Sequence, residues 1–258
     1  SKTSKGRAIQ NLINIEQDDK VKAFINTQDL KDTDYVNSHY VVMATKKGQI
    51  KKSSLEKYSR PRINGINAIT IKENDELLEA KLTNGNSEIL MAVKSGKAIR
   101  FEESKTRPMG RSASGVRGIR LKDDKDEVIG MVSVNDVSTD ILVVSKNGYG
   151  KRSSLEDYRI TNRGGKGVKT ISITEKTGSL VAIKNVSDEN DLMIINKSGI
   201  AIRMSVEKLR VMGRATQGVK LINLKGEDTI AAVAKVIKED ETDDNSQENS
   251  PENNDLSI

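Results

Sequence analysis

The 258-residue chain is 35% hydrophobic, with two Phe, five Tyr and no Trp, which excludes one large aromatic core and favours several small cores of Val, Ile and Leu. With no Cys and one His, His39, it excludes a disulfide framework and a thiolate metal site, and no apolar run approaches the roughly 20 residues of a membrane span. The formal charge of +6 hides an asymmetry: residues 239–258 hold eight acids and no base, leaving 43 basic against 29 acidic residues, a net +14, in the rest.

In chain order, residues 1–18 contain GRAIQNLINI (6–15), the last strand of an upstream blade with no hairpin before it. Four units follow, at about 19–72, 73–122, 123–174 and 175–225. Each reads as a first strand (VKAFI, LLEAKL, VIGMVSV, LVAIKNV), a hairpin (VVMATKKGQIKK, ILMAVKSGKAIR, ILVVSKNGYGKR, LMIINKSGIAIR), a basic loop and a strand opened by glycine (GINAI, GVRGI, GVKTI, GVKLI). Residues 26–38 are a polar insertion expected to form a surface loop. DTIAAVAKV (228–236) is a first strand with no hairpin after it, expected to close the array up to residue 238. The acidic segment 239–258 has almost nothing to bury, so it is expected to be disordered and to compete weakly for the positive charge of the body.

Two independent landmarks set the period. The turn glycines Gly48, Gly96, Gly148 and Gly199 are 48, 52 and 51 residues apart, and the strand-opening glycines Gly65, Gly115, Gly167 and Gly218 are 50, 52 and 51 apart. Four short strands in about 50 residues is the size of a propeller-type blade. The expected fold is all-β, a propeller-like repeat of four-stranded blades, with four whole units and two partial ones.

Basic residues recur in register with these glycines. Lys46, Lys94, Lys146 and Lys197 stand two residues before the turn glycine, and Lys52, Arg100, Arg152 and Arg203 four after it, with Lys151 beside the third of these. One such hairpin would be read as solvated strand charge. Four copies in register are expected to form a belt of positive charge suited to a phosphate backbone. The loops extend it: Arg107 and Arg111 precede Gly115 by eight and four residues, as Arg159 and Arg163 precede Gly167 and Arg210 and Arg214 precede Gly218. Arg60 and Arg62 occupy a shorter loop before Gly65, and Lys166 lies among glycines that let backbone N–H groups approach an anion.

Catalytic constellations are missing. There is no Gly-x-Ser-x-Gly elbow, and Gly164-Gly165-Lys166-Gly167 lacks the Walker spacing. His39, near Tyr35 and Tyr40, is read as packing. No cofactor, metal site or catalytic centre is expected, and the few aromatics make base stacking on single strands a poor fit.

Taken together, KTSKGRAIQNLINI, VMATKKGQIKKSSL, RFEESKTRPMGRSASGVRGIRL, NGYGKRSSLEDY and VMGRATQGVKLINL resemble the C-terminal domain of the bacterial DNA gyrase A protein, over residues 1 to about 238. The resemblance implies a six-bladed β-pinwheel that bends duplex DNA around a basic rim. By order of motifs the chain corresponds to the end of the second blade and the last four. The family's Gln-Arg-Arg-Gly-Gly-Lys-Gly box belongs to the first blade. Residues 163–167, Arg-Gly-Gly-Lys-Gly, look like a related loop in a later blade. The resemblance further implies a cytoplasmic type IIA topoisomerase that hydrolyses ATP, partnered by double-stranded DNA, the remainder of gyrase A, and gyrase B, with no membrane partner and with the catalytic Tyr in another domain. Ser1 in place of Met agrees with a piece of something longer. Two alternatives stay open: the equivalent domain of the topoisomerase IV C protein, and a blade scaffold that binds protein.

Overall fold

Each turn glycine sits where a hairpin must reverse, at φ between +80° and +87°, a conformation open to Gly at little cost. In the computed structural model, which describes residues 19–238, all four expected hairpins form. The strands in chain order are β1 (Tyr40–Thr45), β2 (Gln49–Ser54), β3 (Leu77–Thr83), β4 (Glu88–Val93), β5 (Lys97–Glu102), β6 (Val116–Arg117) and β7 (Val128–Val134). They continue with β8 (Asp140–Ser145), β9 (Tyr149–Ser154), β10 (Val168–Lys169), β11 (Leu180–Val186), β12 (Asn190–Asn196), β13 (Ala201–Ser205), β14 (Val219–Lys220) and β15 (Ile230–Ile237).

The sheets group these strands half a unit out of phase with the units read from the sequence. Each hairpin takes the strand that follows it, giving the orders β3-β1-β2-β6, β7-β4-β5-β10, β11-β8-β9-β14 and β15-β12-β13. LLEAKL, expected to open the second unit, therefore completes the first sheet, and β15 completes the fourth. The two-residue outer strand of a sheet comes from the repeat after it: β6 follows the second hairpin but pairs with β2 of the first. Residues 21–25, expected as a first strand, form none. An inner strand pairs with the hairpin before it, and the described residues contain no such hairpin; Phe24 is 79% exposed. The insertion 26–38 includes a short helix, α1 (Thr33–Ser38), where Asp32 caps by accepting from the N–H groups of Asp34 and Tyr35. The N-terminal strand 6–15 and the acidic tail lie outside the described residues.

The strand-opening glycines make the exchange between repeats possible. A Cβ at Gly115, Gly167 or Gly218 would stand 2.5, 2.5 or 2.4 Å from the backbone oxygen of Ile50, Ala98 or Gly150 in the preceding hairpin, whereas nothing lies within 4 Å at Gly65. Gly167→Ala, at φ +68°, should therefore cost about 2–4 kcal/mol, and Gly65→Ala only the roughly 1–2 kcal/mol of its left-handed backbone. Urea unfolding of the two variants should separate them in that order.

The apolar faces then stack as several small cores. Val42, Ile50, Met91, Phe101 and Met131 join the first and second sheets, Leu90, Val132, Ile141, Leu155 and Tyr158 the second and third, and Leu142, Val144, Leu192, Ile194 and Ile230 the third and fourth. Burial at roughly 25 cal/mol per Å² of apolar surface holds the sheets face to face and fixes which edges point outward.

Candidate nucleic-acid interface

Inner strands set the geometry of the charges. β3 lies on β7, β7 on β11 and β11 on β15, so these four surround the axis of the array, and β6, β10 and β14 form the far edges of their sheets.

The lysines two residues before the turn glycines stand at the axis and not on a rim. Lys46, Lys94, Lys146 and Lys197 line one cavity of about 380 Å³. Backbone bonds hold them there. Each lysine N–H donates to the carbonyl just before an inner strand, on Glu76, Glu127, Ser179 and Thr229 respectively, at 2.8–2.9 Å. The carbonyls of Lys46, Lys94 and Lys146 accept the N–H groups of Val128, Leu180 and Ile230 in the next sheet at 2.8–3.0 Å.

The second recurrent position is a set of structural ion pairs. Lys52 meets Glu103 at 2.8 Å and lies 4.1 Å over the Tyr40 ring. Arg100 meets Glu88 at 2.5 Å and donates to the carbonyls of Leu155 and Tyr158 at 2.8 and 3.0 Å. Arg152 meets Asp140 at 2.8 Å and also Asp188, and Arg203, 47% exposed, meets Asp191 at 2.7 Å. The expected belt is corrected here. Lys52, Arg100 and Arg152, themselves mostly shielded from water, would have to leave a buried (Glu103) or half-buried (Glu88, Asp140) carboxylate to reach a phosphate, which costs more than the new pair returns. Lys151 is 0% exposed and donates to Gly213 O at 2.5 Å, so it too is internal.

Charge left free lies in the loops. Arg60, Arg62, Arg107, Arg111, Arg159, Lys166 and Arg210 are exposed. Each loop runs along the sheet of the repeat before it, because the N–H groups of Met109, Thr161 and Met212 donate to the carbonyls of Lys52, Arg100 and Arg152 at 2.8–2.9 Å. Arg163 and Arg214 are half-buried and act as staples. Arg163 donates to Lys105 O at 3.0 Å and Arg117 O at 3.1 Å, and Arg214 to Asp157 O at 3.0 Å and Lys169 O at 2.8 Å. One groove of about 540 Å³ opens between two successive loops, at Arg62 and Arg111, and another of about 220 Å³ opens between β5 and the loop that holds Arg159 and Lys166. Both are lined by arginine side chains and by glycine backbone, groups that can donate to phosphate oxygens.

Three exposed cations of this edge escaped the sequence reading: Arg117, Lys169 and Lys220. Their signal was present, since each stands two residues after a strand-opening glycine. Lys169 faces Lys97 directly across β10 and β5, an opposition of like charges that a bound anion would relieve. His39 packs as expected, its ring 4.2 Å from that of Tyr35.

Lys51, the equivalent residue of the first hairpin, is internal in the same way, donating to Ala68 O and Arg111 O at 2.5 Å. Burial lowers both amines to about 8. An unfolded lysine stays protonated to about 10.4, so between pH 8 and 10 the unfolded chain binds more protons and stability rises with pH, by up to about 1.4 kcal/mol per unit for each lysine. Denaturant midpoints at pH 8, 9 and 10 should show the rise, and Lys151→Met, with an apolar residue as at the equivalent Ile99 and Ile202, should reduce it.

Comparison with known proteins follows the same repeat. The family model of the DNA gyrase C-terminal domain, beta-propeller, matches residues 39–84, 87–135, 139–187 and 190–237, spans that agree with hairpin plus inner strand. The DNA gyrase A protein of Staphylococcus aureus strain MRSA252 is 44% identical over 251 residues, covering 97% of this chain and 28% of the relative; the same protein of strain N315 is 44% identical over 253 residues. The chain thus spans little more than a quarter of these relatives. Among solved structures, a DNA gyrase A C-terminal domain matches with TM-score 0.79 and 25% identity over 91% of this chain and 76% of its own. The C-terminal domain of a DNA topoisomerase IV matches with TM-score 0.82 and 22% identity over 90% and 71%, a likeness of fold.

Proposed function

The chain belongs to the DNA gyrase C-terminal domain family, and from that premise we propose that it binds duplex DNA along the outer edges of its sheets and bends it, as the DNA-wrapping part of a gyrase A protein. The observation that carries this reading is the recurrence, in three successive sheets, of an exposed loop arginine (Arg107, Arg159, Arg210) and an exposed edge-strand cation (Arg117, Lys169, Lys220) set along the same sheet. Rotation of each sheet about the axis carries these pairs along a curve, so a duplex touching all of them must bend. Smooth bending by 40–90° costs of order 1–6 kcal/mol, which distributed phosphate contacts offset. The chain supplies binding and bending, with no chemical step and no cofactor of its own. Supercoiling and ATP hydrolysis belong in this reading to the cytoplasmic holoenzyme formed with gyrase B and the remainder of gyrase A.

Phosphate contacts leave a measurable mark. Six to ten of them predict a loss of about 10³–10⁵ in affinity between 50 and 200 mM salt. Fluorescence anisotropy with labelled duplex should show this fall, equally for unrelated sequences. A flat salt response would overturn the proposal.

A further inference from the structure

The axial cavity has a charge pattern that duplex binding along the outer edge does not use. All four lysines that line it are placed by backbone bonds at the start of the next inner strand, so repetition of the fold brings four ammonium-bearing side chains to one concavity. Its floor is apolar, with Leu78, Ile129 and Val181 among the lining residues. Low-dielectric walls around charges of one sign focus the potential.

Compensation is present on one half only. Glu76 meets Lys46 at 3.2 Å and Glu127 meets Lys94 at 3.4 Å. At the equivalent positions beside Lys146 and Lys197 stand Ser179 and Thr229, which carry no charge. Among the described residues, neither Lys146 nor Lys197 has a carboxylate within salt-bridge distance. The cavity thus keeps an excess of positive charge where the repeat would allow neutrality. At about 380 Å³ it has the size of a small-molecule site. A double helix cannot enter, whereas a compact anion with several oxygens can meet more than one ammonium at once.

We propose that this axial cavity is a binding site for a small polyphosphate, such as pyrophosphate, tripolyphosphate or the phosphate chain of a nucleotide, held chiefly by Lys146 and Lys197. The phosphate oxygens accept from the two unpaired ammonium groups, Ser179 can donate its hydroxyl, and the anion joins the third and fourth sheets at their inner ends. Bound there, it would screen the repulsion among the lysines and stiffen the array from the axis, remote from the outer edge.

Titration calorimetry of the 258-residue chain with tripolyphosphate tests the site. One equivalent should bind, and Lys146→Gln/Lys197→Gln should weaken it at least tenfold. Ser179→Glu, which keeps every lysine but supplies the carboxylate found in the first two repeats, should weaken it similarly with an unchanged melting profile. Arg107→Gln/Arg159→Gln on the outer edge should leave it unchanged. No saturable binding in the wild-type chain would overturn the proposal, as would binding lost with the outer-edge variant and kept with the axial ones. Duplex affinity measured on the same proteins separates this site from the DNA reading: the axial variants should bind duplex within about twofold of wild type, and an equal loss of both ligands would assign the lysines to the duplex and overturn the small-anion site.

Discussion

The triple change Arg107→Gln/Arg159→Gln/Arg210→Gln should reduce duplex affinity by about 10²–10³-fold near 0.1 M salt and lower the log–log salt slope by about three. These arginines are exposed and equivalent by repeat, and each sits eight residues before a glycine that locks its loop to the preceding hairpin. They make no ion pair among the described residues, so their removal leaves no buried charge behind and the fold should persist. Bending should suffer more than first encounter. Diffusional attraction depends on total charge, but a duplex follows the curve only while contacts at successive sheets offset the bending cost. Energy transfer between dyes at the two ends of a duplex would report it: a wild-type bend angle in the triple variant would show that the duplex lies elsewhere.

The same repeat explains what was legible in the sequence and what was not. A turn glycine and a strand-opening glycine every 48 to 52 residues were enough to find the hairpins and the all-β class, because positive φ and close backbone approach are demands only glycine meets cheaply. Phase was not legible. LLEAKL lies between two hairpins in the chain and could complete either, and the choice is made by packing of β3 against β7 at the axis, a contact that leaves no local mark. Periodicity also cannot say whether a recurring lysine faces the axis or the outside, which is why Lys46, Lys94, Lys146 and Lys197 were grouped with the outer loops.

The ion pairs, in contrast, had a readable signature. Eight residues before the turn glycine stand Glu88, Asp140 and Asp191, and four after it Arg100, Arg152 and Arg203, diagonal neighbours at the open end of one antiparallel ladder. Where Tyr40 replaces the acid, Lys52 replaces the arginine and rests on that ring, taking Glu103 of the next repeat as its carboxylate. An acid and a base that change together across repeats mark a pair in contact. A cation recurring alone, as Arg107, Arg159 and Arg210 do, is left for an external anion.

That distinction has its largest consequence for stability at Arg100. It is 8% exposed, and its guanidinium holds Glu88 together with the carbonyls of Leu155 and Tyr158, which belong to the next sheet's hairpin end. Arg100→Ala should cost about 2–4 kcal/mol, since it strands the half-buried Glu88 carboxylate and leaves the Tyr158 carbonyl without a partner, while Leu155 O keeps the N–H of Tyr158. Replacing Glu88 as well, in Arg100→Leu/Glu88→Leu, should recover only part, because the Tyr158 carbonyl stays unpaired. Arg100→Lys keeps the charge but loses the planar fork, so it separates a structural role from a phosphate contact. If Arg100 met DNA as a point charge, the lysine variant would keep its stability and lose little affinity. The geometry demands lost stability instead: a midpoint lowered in denaturant by about half the loss in Arg100→Ala, and a salt slope of duplex binding, measured well below the transition, that stays at wild type even in the charge-removing Arg100→Leu/Glu88→Leu. A slope reduced by one in that double variant would return this arginine to the DNA interface.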